Sequence, residues 1–186
     1  MSEPLPEITP DLAAWIAKQR LFFVATAPSD GAGPINCSPK GLDSFRVLGP
    51  RVAAYLDLTG SGIETIAHLR ENGRVTLLFC GFEGPPKIVR LYGRGTPHVA
   101  GTSEFTRLSA LFPSIPGARA VIHVAVERVS TSCGMAVPYL DYRGERDDLT
   151  SWAAMKGPRG LEAYRAEKNL RSIDGLPGWP APDLLP

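Results

Sequence analysis

Length, composition and charge describe a globular protein and argue against two kinds of partner. The chain has 186 residues, 44% of them hydrophobic and 21% charged, and a formal net charge of +1 at pH 7. This length suffices for one domain with a full core and an appendage. Because a nucleic-acid-binding protein needs a basic face or run and this sequence has none, we expect no nucleic acid partner. No segment is apolar for long enough to span a bilayer, so we expect no membrane partner.

The N-terminus and the scattered cysteines predict a cytoplasmic protein without a structural metal. Residues 1–10 contain acids and prolines where a signal peptide needs a basic start and an apolar stretch. Cys37, Cys80 and Cys133 lie far apart, which is typical of neither a disulfide framework nor a zinc site. Cys80 ends an apolar run and is predicted to be a small buried hydrophobe.

Alternating and helical patterns predict the elements in chain order. A first helix begins with Thr9 as N-cap and Pro10 as first helical residue. The later patterns predict strands at 21–27, near 35, 44–48 and 51–58, a helix at 63–72 closed by Gly73, strands at 74–82 and 87–94, a helix at 103–112 and a strand at 120–131. Most connections between strands are too short for helical crossovers, so these strands pair as antiparallel neighbours. This pattern suggests a closed or half-closed barrel.

A change of composition divides the chain near residue 132. Residues 1–131 form the predicted barrel domain, and residues 132–186 form an extension rich in glycine, proline and charge. Weaker helical patterns occur at 151–156 and 161–168, and 174–180 cannot be a helix or a central strand. We expect this extension to pack on the barrel or on a partner subunit, with the Pro-rich tail around Trp179 as an additional contact to the partner.

Two segments, 36–41 and 57–65, end strand-like runs with hydroxyl residues and glycines. The first adds a lysine, and the second leads into helix 63–72, whose first turn has unpaired N–H donors and the positive end of the helix dipole. Together they offer a phosphate backbone donors, hydroxyls and one cation, which predicts a phosphorylated cofactor. The candidate cofactor-binding residues in these segments are Asn36, Ser38, Lys40, Thr59, Ser61, Gly62 and Thr65.

Arg90 is a further candidate, and several candidates also have a purely structural interpretation. Arg90 lies in an alternating strand, where it either occupies the solvated face or pairs with a phosphate or the electron-rich edge of a flavin. Ser61 and Glu64 fit a capping box, which is compatible with phosphate binding at the same turn. Lys40 after Pro39 fits a solvated turn as well as a ligand.

Five segments carry a resemblance to a known family. In order they are 22–26, 36–41, 55–65, 72–79 and 89–93. Their sequence and order resemble the pyridoxamine-phosphate-oxidase-like flavin-binding split barrels over residues 10–131. The resemblance implies a mainly β fold with a few helices, namely a six-stranded antiparallel split barrel. It also implies a homodimer that holds flavin mononucleotide (FMN) at the dimer interface.

The family pattern is matched at some cofactor positions and not at others. Lys40 matches a family lysine near the flavin, and Thr59 matches a threonine at the end of the cofactor-contacting strand. Thr65 and Glu64 stand where the authentic oxidase has a phosphate-binding lysine and an arginine. Ile88 stands where it has a glutamine that contacts the flavin. The resemblance therefore indicates a divergent subgroup.

The leading hypothesis is an FMN-binding oxidoreductase that acts on an unidentified small substrate. The residues assign no catalytic acid or base, and no metal is predicted. One alternative is a non-catalytic cofactor-binding or sensing module. Another is a relative that binds deazaflavin or haem in place of FMN.

Overall fold

The structure is a computed structural model and describes residues 4–179. Its centre is an antiparallel sheet of seven strands in the order β2-β1-β5-β6-β7-β4-β3. The elements are α1 (Pro10–Ile16), β1 (Phe22–Thr26), β2 (Asn36–Lys40), β3 (Phe45–Gly49), β4 (Val52–Leu58), α2 (Glu64–Asn72), β5 (Arg74–Cys80), β6 (Ile88–Val99), α3 (Ser103–Ser109), β7 (Ala118–Ser132) and α4 (Asp148–Lys168). The predicted mainly β fold with few helices is confirmed, with seven strands in place of six.

The longest pairing, between β6 and β7, runs through a bulge. The register shifts between Tyr92 and Gly93, and a Cβ on Gly93 would overlap the carbonyl oxygen of Ala125. Only glycine permits this close approach, and a bulge of this kind bends a sheet. The predicted strand ended at residue 94, before Gly95 and Pro97, but β6 continues to Val99 because its pairing with β7 outweighs local propensity.

The main core lies on one face of the curved sheet. Four aromatic rings from four strands pack there with centroid distances of 4.9 to 5.6 Å: Phe22, Phe45, Tyr55 and Phe79. Leu12 and Ile16 of α1 are buried and belong to the same hydrophobic cluster. Cys80 is buried, as predicted.

The first two helices begin and end largely as predicted. Thr9 caps α1, accepting a hydrogen bond from the amide of Leu12 at 3.3 Å. Gly73 ends α2 in the left-handed region at φ 74°, and its amide donates to Leu69. The capping box at the start of α2 is wrong, since no side chain caps this helix there.

The extension packs against its own chain. Helix α4 contains a kink at Gly157, with φ 63°, before Pro158, and this kink separates the two helices predicted at 151–156 and 161–168. The tail, residues 169–179, is irregular apart from one bridge between Arg171 and Pro177. Trp179 is only 5% exposed, with the Arg165 guanidinium 5.1 Å above its ring. Trp179 therefore packs within its own chain.

No helix among residues 4–179 is both long and apolar enough to cross a membrane.

Candidate functional site

The site is built along one face of β2, an edge strand that pairs only with β1. This face carries three half-buried side chains, Asn36, Ser38 and Lys40. The intervening Cys37 and Pro39 are exposed. A strand places every second side chain on the same face. One face of β2 thus carries a line of three polar side chains.

At one end of this line, three of the predicted residues meet in a polar cluster. Asn36 Nδ2 donates to Thr65 Oγ1 and to Thr26 Oγ1, both at 3.1 Å. Ser38 Oγ donates to Asn36 Oδ1 at 3.0 Å. Since Thr65 lies in the first turn of α2, these contacts tie β2 to the start of that helix.

At the other end of the line, Lys40 belongs to a buried charge cluster. Its Nζ lies 2.9 Å from Asp57 Oδ1, and Nε of Arg119 lies 2.7 Å from Asp57 Oδ2. Burial would raise the pKa of Asp57, but the charges and hydrogen bonds of Arg119 and Lys40 lower this pKa to about 2. The three groups together carry one net positive charge.

The tail holds the loop that follows β4. Arg119 Nη1 donates to Asn169 Oδ1 at 2.9 Å, and Asn169 Nδ2 donates to the carbonyls of Gly60 and Ser61 at 3.0 and 3.2 Å. Asn169 is fully buried. It therefore connects the charge cluster to residues 60 and 61.

Arg165 of α4 positions Thr59. Its Nε donates to Thr59 Oγ1 at 2.9 Å, and Thr59 Oγ1 donates to the carbonyl of Gly117 at 2.8 Å. Burial lowers the pKa of Arg165. The hydroxyl of Thr59 is thus already engaged within the chain.

A cavity of about 640 Å³ opens beside Lys40 and Thr59. The sheet side of its wall includes Gly41, Leu58 and Gly60. Segment 142–149 supplies most of the opposite wall, and we call this segment the strap. Of the predicted cofactor-binding residues, Lys40 and Thr59 therefore line this cavity, and Asn36, Ser38 and Thr65 are not among its lining residues.

A carboxylate anchors the strap to the barrel. Glu145 Oε2 accepts from the amide of Leu42 at 3.2 Å, and Glu145 Oε1 accepts from Tyr142 Oη at 2.7 Å. Arg20 lies 4.9 Å above the Tyr142 ring. Leu42 has φ 61°, a left-handed conformation that is uncommon for leucine.

The remaining predicted residues lie elsewhere or face solvent. Ser61 and Gly62 are exposed before α2. Glu64 Oε1 accepts from the amide of Ile173 at 3.3 Å, so the tail engages the acid at the helix start. Arg90 donates to Ser132 Oγ at 3.1 Å and does not line the cavity beside Lys40.

A buried histidine extends the polar cluster into the tail. Nδ1 of His68 lies 2.9 Å from Thr26 Oγ1, and its Nε2 lies 2.6 Å from Asp174 Oδ2. His68 has no exposed surface. A continuous chain of hydrogen-bond contacts thus runs from Ser38 to Asp174.

Sequence reasoning missed five residues that organise the site: Asp57, His68, Arg119, Arg165 and Asn169. One signal was available, because Asp57 lies inside an apolar strand where an acid needs a partner. Its partner Arg119 is 62 residues away, and no sequence pattern identifies it. For His68, 106 residues separate the two partners.

Comparisons with known proteins agree with this architecture. The sequence model of the pyridoxamine 5'-phosphate oxidase family matches residues 8–133. A pyridoxamine 5'-phosphate oxidase family protein from Aspergillus flavus is 42% identical over 192 residues, covering 92% of this chain and 75% of that protein.

Two solved structures are similar in fold. HupZ from Group A Streptococcus is 23% identical with a TM-score of 0.54, covering 68% of this chain and 94% of that one. A Lactobacillus delbrueckii protein named as a candidate pyridoxamine 5'-phosphate oxidase is 22% identical with a TM-score of 0.53, covering 68% and 95%. At these identities the likeness concerns the fold.

Proposed function

Because the chain belongs to the pyridoxamine 5'-phosphate oxidase family, we propose that it is an FMN-binding oxidoreductase acting on a small substrate. The observation that carries the proposal is the polar face of β2. It leads from the Asn36–Thr65 contact to Lys40 at the cavity. At about 3.3 Å per residue, the strand separates Asn36 from Lys40 by about 13 Å, a length suited to an extended phosphorylated cofactor.

The donor set fits the two ends of such a ligand. The cavity volume of about 640 Å³ lies within the range of small-molecule sites, and Leu56 and Leu58 give it apolar walls for a flat ring. Lys40 adds a charge at its rim. The hydroxyl of Thr65, in the first turn of α2, suits the phosphate end.

Glu64 limits where the phosphate can bind. Its carboxylate lies beside Gly62, where a Cβ would collide with it, and would repel an anion at the exposed tip of α2. The proposal therefore places the phosphate on the β2 side of the helix, toward Thr65. The amide of Ile173 holds the Glu64 carboxylate on the tail side.

Bound flavin would supply the redox chemistry, accepting hydride or electrons from a substrate or a reduced nicotinamide. The residues of this chain would bind and orient it. Lys40 and Thr59 border the cavity in which the ring would lie, and the strap forms the opposite wall of that cavity. Arg90 remains a candidate only for a part of the ligand outside this cavity.

We also propose a cytoplasmic homodimer with FMN at its interface. Edge strand β2 pairs on one side only, so a ligand along it would stay partly exposed in a single subunit. A two-fold interface covers two such sites with one self-complementary surface.

The absorbance spectrum of freshly purified protein, followed by titration with FMN, tests the proposal. Flavin bands, or saturable quenching of FMN fluorescence, are expected. A haem Soret band or deazaflavin absorbance, with no saturable FMN binding, would replace the cofactor assignment. If the FMN-loaded protein oxidises neither reduced nicotinamide nor any small substrate, a cofactor-binding or sensing module would be the better description.

A further inference from the structure

The buried chain of hydrogen bonds between Asp174 and Ser38 has a defined direction. We infer that Asp174, in the tail, is a positioning residue. Through His68 and Thr26 it orients the Asn36 amide and leaves the Thr65 hydroxyl free to donate to a phosphate. The inference rests on the proposed function for the identity of the ligand, while the direction of the hydrogen bonds stands on the contacts alone.

The hydrogen bond between His68 and Asp174 fixes which group donates at the first step of the series. A carboxylate can only accept hydrogen bonds, so the hydrogen between it and His68 lies on Nε2 of the ring. The side chain of Asp174 is 8% exposed, and its Oδ1 is buried without a hydrogen-bond partner among the described residues. A buried acceptor left unpaired is costly, which indicates a role beyond packing for this acid.

Thr26 transmits the direction. Its buried hydroxyl has two partners within residues 4–179, His68 Nδ1 and Asn36 Nδ2. Because Asn36 donates to it, Nδ1 of His68 is the one acceptor that these two partners offer to the hydroxyl hydrogen, and we infer that the hydrogen goes there. In this arrangement Nδ1 accepts and carries no hydrogen, and the ring hydrogen lies on Nε2.

The Asn36 amide is fixed by the same logic. Its Nδ2 faces Thr26 and Thr65, and its Oδ1 accepts from Ser38. Thr65 Oγ1 therefore acts as an acceptor toward Asn36, and its own hydrogen has no acceptor among the described residues. Thr65 is 5% exposed, so this remaining donor needs a partner. A phosphate oxygen would provide one.

Ser38 has the opposite character. Its hydrogen is used toward Asn36, so its oxygen presents lone pairs to a ligand. An oxygen of this kind accepts from a hydroxyl, such as one of the ribityl chain. The series of hydrogen bonds that begins at Asp174 thus makes Thr65 a donor and Ser38 an acceptor toward the ligand.

Paired variants and two ligands test the inference. Asp174→Ala removes the acceptor for His68, whereas Asp174→Asn keeps an amide oxygen that can accept from Nε2. Thr26→Val removes the hydroxyl at nearly constant volume, whereas Thr26→Ser keeps it. We expect the alanine and valine variants to weaken FMN binding about tenfold, the effect of one lost buried hydrogen bond, and the other two to change it less than about twofold.

Riboflavin, which lacks the phosphate, separates positioning from packing. Its affinity should fall less than FMN affinity in the alanine and valine variants, because riboflavin lacks the phosphate that the Thr65 donor faces. Asp141→Ala, at an exposed acid outside the site, is the matched control and should bind both ligands as the wild type does. Equal losses for FMN and riboflavin, or no loss for FMN, would overturn the inference.

Nitrogen NMR of the ring gives a readout that needs no cofactor. The chain has three histidines, so the His68 signals can be assigned by substitution. We expect Nε2 to be protonated and Nδ1 not in the wild type and in Asp174→Asn, and the Nε2 signal to weaken or exchange in Asp174→Ala. A wild-type ring with its hydrogen on Nδ1 would overturn the inference even if FMN binds. A wild type that binds no FMN would instead remove the proposed function, and the ring signals alone would then decide the direction.

Discussion

Lys40 Nζ lies 2.9 Å from Oδ1 of Asp57, a carboxylate with no exposed surface. The lysine predicted as a cofactor cation thus also has a partner within the chain. Arg119 holds the second oxygen of Asp57, and the three groups together keep one positive charge beside the cavity. Lys40 therefore links the stability of the barrel to the proposed site.

Asp57→Asn should strongly destabilise the fold. It would leave Arg119, only 4% exposed, without a carboxylate partner, and the loss of one member of a buried ion pair costs about 3–5 kcal/mol. Urea unfolding measures the difference. Asp43→Asn is the matched control, because its pair with Arg46 is exposed and should cost less than about 1 kcal/mol. Similar losses in both variants would contradict the role given to Asp57.

The same carboxylate makes stability depend on pH. The pKa of Asp57 is about 2 in the folded chain, below its ordinary value of about 3.9. The folded state therefore favours the ionised form, and this contribution is present above pH 4 and lost as the pH falls toward 2. It amounts to roughly 2 to 3 kcal/mol. The stability difference between wild type and Asp57→Asn should shrink over this range in urea unfolding series, and a constant difference would refute the assignment.

Lys40→Ala should lower FMN affinity by at least about tenfold, since a charge-assisted contact is lost. Its effect on stability should be about 1 kcal/mol, because Asp57 keeps Arg119. Fluorescence titration and urea unfolding measure the two effects. Lys18→Ala, at an exposed lysine outside the cavity, should change neither. Unchanged FMN affinity would leave Lys40 as a structural partner of Asp57.

Glu145→Ala should release the strap. The substitution removes the acceptor of both the Leu42 amide and the Tyr142 hydroxyl. We expect trypsin to cleave faster after Arg143 and Arg146, because local opening exposes the backbone to the protease. Bound FMN should slow the cleavage. Glu167→Ala, at an exposed acid of α4, serves as the control, and equal cleavage rates in both variants would contradict the anchoring role.

The proposed homodimer predicts that FMN occupancy falls with dissociation. Sedimentation equilibrium across a dilution series, read beside FMN absorbance, measures both quantities on the same samples. The expected result is that bound FMN decreases as monomer appears, since each site would need the partner to cover it. A monomer that keeps full FMN affinity would disprove the shared site.

Much of the fold was predictable because its signals are local. The capping roles of Thr9 and Gly73 depend on a few neighbouring residues, whereas the second strand, expected near residue 35, lies at Asn36–Lys40. The end of β6 was not predictable. Gly95 and Pro97 weaken the strand signal, and only pairing with β7 extends the strand to Val99.

The sequence by itself determined which side chains share a face of a helix or a strand, because side-chain directions repeat every 3.6 residues in a helix and every two residues in a strand. Only the tertiary structure decided their partners. Asp57 meets Arg119, 62 residues away, and His68 meets Asp174, 106 residues away. A buried charge must be paired somewhere, but which distant residue reaches it depends on how the sheet and the tail close around it.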